Sequence, residues 1–276
     1  MNDYSKLLLD DRTEERFNRF LRTALKKQRL NIDRRLSADY CSITDGEHTL
    51  SFDTSSFKYS YAKTLSQDVI GEFVDKVILD FEILERMVSF TNGQEFLRFS
   101  LINSTEINDS MIYDDFIGDM KRVICYSSDN ITARHLDISY LEKWDVPREV
   151  VFSVADRNMC RMLQKTEYTK TELPAGRTTV SCLEFKSKGS DLLAALMSCS
   201  DFWDYIAPML SQKFLAAAPT RDNMILLGAV NRSVLGSLGK AVSKEYSWAA
   251  RPLSADVLLF SSAGVEIAGN FKKEVL

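Results

Sequence analysis

The segment after Pro219 carries the side chains best suited to bind a charged ligand. Arg221, Asp222 and Asn223 form a polar triplet between two apolar runs, where they could stand at the rim of a pocket. The planar guanidinium of an arginine donates paired hydrogen bonds to a carboxylate or a phosphate. The alternative is an internal ion pair between the arginine and an aspartate that fixes a turn, and this structural interpretation is favoured.

Asn158 is a second candidate ligand-binding residue. It lies beside the apolar stripe of a helix predicted over 147–163, so its side chain could face inward. A buried amide must be hydrogen-bonded, and a bond to neighbouring backbone is the favoured interpretation. If Asn158 instead met Arg221 and Asp222 in one concave pocket, the chain would suit a small-molecule or nucleotide-processing enzyme.

The remaining polar residues do not favour a metal or a catalytic centre. Asp114, Asp115 and Asp119 lie on a predicted loop before a strand, but they lack the calcium-loop pattern D-x-[DN]-x-[DN]-G. The five cysteines include no C-x-x-C pair, and the common phosphate-loop, nucleophile-elbow and zinc-protease motifs are absent. The sequence therefore predicts no metal, no cofactor and no catalytic residue.

A basic cluster near the N-terminus is the main candidate for binding a macromolecule. Eight lysines and arginines lie between positions 16 and 35 of a chain whose net charge is −4, and the candidate partner-binding residues are Arg19, Arg22, Lys26 and Lys27. They could contact an acidic protein, nucleic acid or anionic lipid. Nucleic acid is less favoured because the nearby aromatics look like core anchors. A solvated helix face is the structural alternative.

These residues must be positioned by a mixture of helices and strands. Apolar spacing predicts helices over 12–29, 66–88 (ending near Asn92-Gly93), 147–163, 189–198, 201–213 and 231–246. Alternation predicts strands over 39–44, 48–53, 96–103, 120–126, 131–136, 178–186, 223–229, 255–261 and 264–268, with another ending at Pro219. Ser139 to Glu142 reads as a capping box.

The order of the elements predicts an α+β fold with mixed or antiparallel sheets flanked by helices. No steady βαβ rhythm is present, as a doubly wound sheet would require. Residues 165–178 lose periodicity and contain proline and glycine, which places a domain boundary there. We expect an N-terminal lobe over 1–166 and a C-terminal lobe over 167–276, sharing an interface and ending in a β-hairpin.

Size and composition are those of a globular protein that can bury a core. The chain has 276 residues, of which 45% are hydrophobic. No window approaches the roughly 20 apolar residues of a membrane span, and the N-terminal residues do not resemble a secretory signal. The sequence thus predicts a cytoplasmic protein with no membrane contact, and the C-terminal hairpin is a candidate surface for a homo-oligomer.

Several runs occur in an order similar to that of the YtpQ-like family of bacterial proteins, also called domain-of-unknown-function family 1444. The runs are LSFD (50–53), VIGEFV (69–74), DDFIGDM (114–120), LEKWDV (141–146), ADRNM (155–159) and APTRDN (218–223). The resemblance spans about 45–268, although Met159 stands where the family usually has leucine and 87–112 matches little. It implies a bacterial cytosolic protein and carries over neither a cofactor nor a catalytic residue.

Two functional hypotheses follow from the sequence. The first is a non-enzymatic protein-binding or regulatory module that uses the basic N-terminal helix, for which a defence or immunity setting would be suitable. The second is the enzyme with a pocket near Arg221 and Asp222. The placement of Arg221, Asp222 and Asn158 relative to one another separates the two hypotheses.

Overall fold

A computed structural model describes residues 10–35, 39–129, 132–175, 178–187, 189–228, 232–249 and 251–271. Its helices and antiparallel sheets confirm the predicted α+β fold. The chain forms two compact units, Met1–Glu85 and Arg86–Leu276. No helix in the described ranges is both long and apolar enough to cross a membrane.

The first unit combines three helices with a small antiparallel sheet of order β1-β2-β3. Its elements are α1 (Asp11–Lys27), β1 (Asn31–Arg35), β2 (Tyr40–Thr44), β3 (Thr49–Asp53), α2 (Ser55–Thr64) and α3 (Asp68–Arg86). Helix α1 contacts α2 and β1. The rings of Phe17 and Tyr61 meet edge to face, and the ring of Phe73 meets those of Phe52 and Phe57 in the same way. These aromatic contacts fill the centre of the unit.

The second unit contains the remaining elements. They are α4 (Phe90–Gly93), β4 (Leu97–Asn103), β5 (Tyr113–Ile117), β6 (Met120–Tyr126), β7 (Arg134–His135), α5 (Ser139–Trp144), α6 (Arg148–Leu163), β8 (Thr169–Ala175), β9 (Thr178–Lys186), α7 (Phe202–Ile206), β10 (Phe214–Thr220), β11 (Asn223–Leu227), α8 (Arg232–Trp248), β12 (Asp256–Ser261) and β13 (Gly264–Asn270). A 3₁₀ turn, Ala194–Ser198, precedes α7.

Two antiparallel sheets organise this second unit. One has the order β4-β6-β5 with β7 beside β6, and α6 packs against β4. The other has the order β13-β12-β10-β11-β9-β8, with α8 packed against β10. Phe214 stacks on Phe260 and contacts Phe202 of α7, whereas the alternating residue Leu215 belongs to the cluster that includes Val242 of α8. The central strands are thus apolar on both faces.

The structure corrects the interpretation of two polar segments. Residues 165–178 are not without structure: β8 occupies half of them and pairs with β9 along its length, with Pro174 near its end. The predicted lobe boundary at 166 and 167 falls inside the second unit, between α6 and β8, and remains a prediction. Asp114 and Asp115 belong to strand β5 and not to a loop, because β5 pairs with β6.

Several predicted helix ends also differ from the structure. Helix α5 begins at Ser139 itself and has no side-chain cap, so the predicted capping box does not form. Asn92 and Gly93 belong to the short helix α4, while the long helix α3 ends at Arg86. The helices predicted over 189–198 and 201–213 shrink to the 3₁₀ turn Ala194–Ser198 and the five-residue α7.

Candidate functional site

Helix α1 is fixed in its unit by a strict separation of apolar and polar residues. Asp10 caps its N-terminus by accepting a hydrogen bond from the Thr13 N–H at 2.8 Å. Phe17, Leu21 and Leu25, spaced four residues apart, are buried in the core. This anchoring leaves the opposite side of the helix in solvent.

The basic face of the protein consists of Arg19, Arg22, Lys26 and Lys27, and all four side chains are exposed. Three of them, together with Glu15, Asn18 and Thr23, line an open groove of about 420 Å³ along the helix. The structure thus places the sequence-predicted partner-binding residues on one accessible surface.

The charges of the basic face are not neutralised within the described part of the chain. None of its four cations forms an ion pair with a described residue, whereas Glu14 on the same helix is engaged by the buried Lys58 ammonium at 2.9 Å. The Arg19 guanidinium carbon lies 5.3 Å from the ring centre of Phe20, which itself packs against the core. The four cations therefore remain available to an external anion.

Arg221 is buried, and its guanidinium is occupied by carboxylates of its own chain. Its Nη2 donates to both carboxylate oxygens of Glu106, at 2.7 and 2.6 Å, and its Nη1 lies 4.0 Å from an Asp191 oxygen. Arg221 thus forms an internal ion pair, but its main partner is a glutamate 115 residues away along the chain and not the aspartate of the turn that the sequence favoured. Neither sequence distance nor a motif could have identified that glutamate.

Asp222 and Asn223 hold the turn between β10 and β11. Asp222 accepts hydrogen bonds from the Thr220 hydroxyl at 2.7 Å and from the Gly189 N–H at 3.2 Å. Asn223 is buried and donates through Nδ2 to the Glu245 carboxylate of α8. Both side chains therefore have structural bonds that tie the turn to neighbouring segments.

Asn158 lies on the inward face of α6, where it bonds to backbone. Its Nδ2 donates to the carbonyl oxygens of Gln94 and Leu97, at 2.9 and 3.0 Å. These acceptors surround the start of β4, whereas Glu106, the partner of Arg221, follows the end of that seven-residue strand. At about 3.3 Å per residue the strand is roughly 20 Å long. The structure therefore brings Arg221 and Asp222 into one turn region but leaves Asn158 elsewhere.

Two titratable groups near Arg221 have shifted pKa values. Desolvation lowers the pKa of His135, and the positive charge of Arg221 lowers it further. Desolvation raises the pKa of Asp191, against the opposing effects of the Ala133 N–H and of Arg221. Together with Glu106 and Arg221 these groups form a charge cluster. The guanidinium of Arg221 in this cluster is already bound by the Glu106 carboxylate.

The carboxylates of β5 form ion pairs across the strands. Asp114 contacts Arg122, and Asp115 accepts from the Lys121 ammonium at 2.6 Å. Both carboxylates also border an open groove of about 520 Å³. Within the described ranges no group of three or more histidine, cysteine or acidic side chains is arranged to hold a metal ion.

One close contact that the sequence did not indicate joins Cys160 to Ser200. All five cysteines are buried and unlinked. The sulfur of Cys160 on α6 lies 3.6 Å from the hydroxyl oxygen of Ser200, which follows the 3₁₀ turn. The neighbouring Cys199 thiol and the Asp201 N–H hold the pKa of Cys160 below its usual range. Cys160 and Ser200 are far apart in sequence, so no spacing signal marks them.

Comparison with known proteins gives no relative from which a role could be transferred: no protein-family model, no curated protein and no solved structure matches the chain. The resemblance to the YtpQ-like family therefore stays a prediction based on the quoted runs. Any functional conclusion has to come from the residues and contacts described above.

Proposed function

We propose that this chain is a protein-binding or regulatory module whose basic face on α1 contacts an acidic helix of a partner protein. The observation that carries the proposal is the exposure of four cations that have no ion pair to the described residues. Arg221, the principal arginine of the competing enzyme hypothesis, is instead bound to Glu106.

The spacing of the basic face suits a helical partner. Arg19, Arg22 and Lys26 follow one another at intervals of three and four residues, which puts them in line along one side of α1. A partner helix with glutamates at similar intervals would bring several carboxylates opposite them. One exposed ion pair contributes only about 0–1 kcal/mol, so the proposal requires several pairs acting together and an association that is steered by charge.

The aromatic residues of α1 favour a protein over nucleic acid. Its two phenylalanines are Phe17, which is fully buried, and Phe20, which packs against the core. Proteins that bind single strands usually stack bases on exposed aromatic rings in addition to contacting phosphates. The helix offers charge without such a stacking platform.

We assign this function to the cytoplasm. The five cysteines are buried free thiols, which is typical of proteins in reducing compartments. This part of the proposal is tested by fractionating host cells and locating the chain with an antibody. Recovery in the periplasmic or secreted fraction would contradict it.

The binding proposal is tested with a synthetic helical peptide that carries a stripe of glutamates. Fluorescence anisotropy would compare the wild type with a variant in which the four basic-face residues become glutamate. The matched control reverses four exposed cations of the second unit: Arg157, Arg161, Lys165 and Lys170. We expect the peptide to bind the wild type and the control, with an affinity that falls as salt is added, and not to bind the basic-face variant.

Three outcomes would contradict the proposal. The first is no peptide binding to the wild type at low salt, and the second is an equal loss of binding in both variants. The third is tighter binding of a single-stranded oligonucleotide or of phosphatidylserine vesicles than of the peptide. Circular dichroism of both variants checks that they are folded. A pull-down from host lysate with the same proteins would then identify the partner.

A further inference from the structure

Helix α3 presents to solvent a face whose charge is opposite to that of the basic face. Glu72, Asp75 and Glu82 are exposed, and none of the three carboxylates forms an ion pair with a residue that the structure describes. Leu79 lies between Asp75 and Glu82 and is 40% exposed. These four residues, which we call the acidic face, follow one another at intervals of three and four residues, so they stand in line along one side of α3. The one lysine of the helix, Lys76, is half-buried beside this line.

The buried side of α3 anchors the helix in the first unit. Ile70, Phe73 and Val77 of α3 belong to the same core as Phe17 and Leu21 of α1. Both helices thus cover one core, and each of them turns a charged side to solvent. Every copy of the chain therefore carries a basic face and an acidic face on one compact unit.

The two faces are complementary when the two helices run antiparallel. Steps of three, four and three residues connect the exposed cations along and just beyond α1: Arg19, Arg22, Lys26 and Arg29. The same steps, taken backwards along α3, connect the acidic face: Glu82, Leu79, Asp75 and Glu72. Since all α-helices rise by about 1.5 Å per residue, the two rows stay in register. Three cations then stand opposite three carboxylates, and the aliphatic stem of Arg22 covers Leu79.

A further charge on α1 selects this direction. Glu15 is exposed, one step of four residues before Arg19. In the antiparallel pair it stands opposite Arg86, the last residue of α3, whereas a parallel pair of the same rows would place it opposite Asp68. Two carboxylates that face each other repel. The antiparallel pair is therefore the arrangement in which the charges of both rows meet their opposites.

We propose that the acidic helix contacted by the basic face is α3 of a second copy of this chain. The inference rests on the proposed function, since it names the partner of the same basic face. Each exposed ion pair is weak, so the association depends on several pairs together and falls as salt is added. The contact joins two different surfaces. Two copies that exchange both contacts form a closed dimer, whereas successive single contacts form a chain of copies.

The proposal is tested by sedimentation of the full chain at low and at high salt. We expect the mass of the wild type to exceed the 31.4 kDa of a single chain at low salt and to return to that value at high salt. The basic-face variant should keep the mass of a single chain, and so should an acidic-face variant with three substitutions: Glu72→Lys, Asp75→Lys and Glu82→Lys. The matched control reverses three exposed carboxylates of the second unit and should associate like the wild type: Glu142, Glu149 and Glu167.

A mixture of the two variants gives the sharpest readout. Both faces are acidic in the basic-face variant and both are basic in the acidic-face variant, so the copies of each variant repel one another. The unaltered α3 of the first variant nevertheless meets the unaltered α1 of the second. We expect the equimolar mixture to associate at low salt, and a chain that carries both sets of substitutions to associate through reversed pairs. Substitutions that merely damaged the structure would not restore association in this way.

The glutamate peptide separates a failure of this inference from a failure of the proposed function. The acidic-face variant keeps its basic face and should bind the peptide at least as tightly as the wild type does. If the wild type binds the peptide but keeps the mass of a single chain at low salt, the proposed function stands and a second copy is not the partner. The inference is also overturned if the acidic-face variant still associates with itself, or if the mixture of folded variants does not associate.

Discussion

Helices α1 and α6 have nearly the same length, 17 and 16 residues, but they use their polar residues in opposite ways. The buried side of α1 is entirely apolar, and its cations face solvent. The buried side of α6 includes an amide, Asn158, and a thiol, Cys160, both of which have hydrogen-bond partners in other elements. One helix thus bears its polar groups on a surface, whereas the other directs them into its unit.

The difference follows from what each helix packs against. Helix α1 packs against a core of aromatic rings and aliphatic side chains, which need only apolar contacts from the helix. Helix α6 covers the start of β4, where residues 94–97 pass from a 3₁₀ turn into a strand, and Asn158 donates to carbonyls of that transition. Buried carbonyls require a donor. A polar residue on the buried side of a helix therefore indicates a hydrogen bond within the protein, whereas a polar residue on the exposed side faces solvent.

The largest expected effect comes from the apolar side of α1. Phe17→Ala removes a fully buried ring that contacts Tyr61, and we expect a loss of about 3–5 kcal/mol in the free energy of unfolding. Denaturant unfolding followed by circular dichroism would measure it. A loss below about 1 kcal/mol would mean that the α1 anchor is not needed to hold the first unit.

The inward amide of α6 should come next. Asn158→Ala leaves the Gln94 and Leu97 carbonyls without this donor, and we expect a loss of about 2 kcal/mol. Asn18→Ala is the matched control, because Asn18 lines the open groove of α1; its effect should stay within about 0.5 kcal/mol. Equal effects at the two asparagines would remove the distinction between the helices.

Single cations on either helix should matter little to stability. Arg22→Ala on α1 and Arg157→Ala on α6 each change an exposed residue with no ion pair to the described part of the chain. We expect each change to lie within about 0.5 kcal/mol in denaturant unfolding. Only Arg22→Ala should weaken the binding of the glutamate-bearing peptide to the protein. A loss of stability above about 1 kcal/mol at Arg22 would indicate a structural role for the basic face.

A change in the opposite direction is expected at Tyr61 of α2, where the core of the first unit contains a polar atom. The Tyr61 hydroxyl is buried and has no hydrogen-bond partner among the described residues. Tyr61→Phe should therefore leave the free energy of unfolding unchanged or raise it by up to about 1 kcal/mol, because an unsatisfied hydroxyl is removed. Thermal unfolding measured beside that of Phe17→Ala would show the contrast. A clear destabilisation would instead reveal a bond to this hydroxyl.

Sequence reasoning found most elements whose apolar residues repeat regularly. The helices at 12–29 and 147–163 and the hairpin near the C-terminus were predicted close to their actual bounds. The strands it missed are β1, β5 and β8, and all three lie at sheet edges. An edge strand is stabilised mainly by pairing with one neighbour, so its own sequence need not alternate. The helix α2 was missed for a related reason, since its serine and lysine positions blur the apolar face.

The candidate sites were predictable to different extents. The basic face could be read directly because its residues are close together in one helix. The partners of Arg221 and the contact between Cys160 and Ser200 could not be predicted, because each joins segments that are distant in sequence. Asn158 shows the intermediate case: helical spacing indicated an inward amide, but only the fold shows which carbonyls it meets.

The proline of β8 makes the two margins of the six-stranded sheet unequal. Pro174 lies in the outermost strand on one side and removes a backbone donor there, which hinders the addition of a further strand. The opposite margin is β13, which has no proline and exposes Ile267. If the sheet ever grows, by self-association or by aggregation, it should grow in one direction. A lysine or a proline placed in β13 would then be the protective substitution.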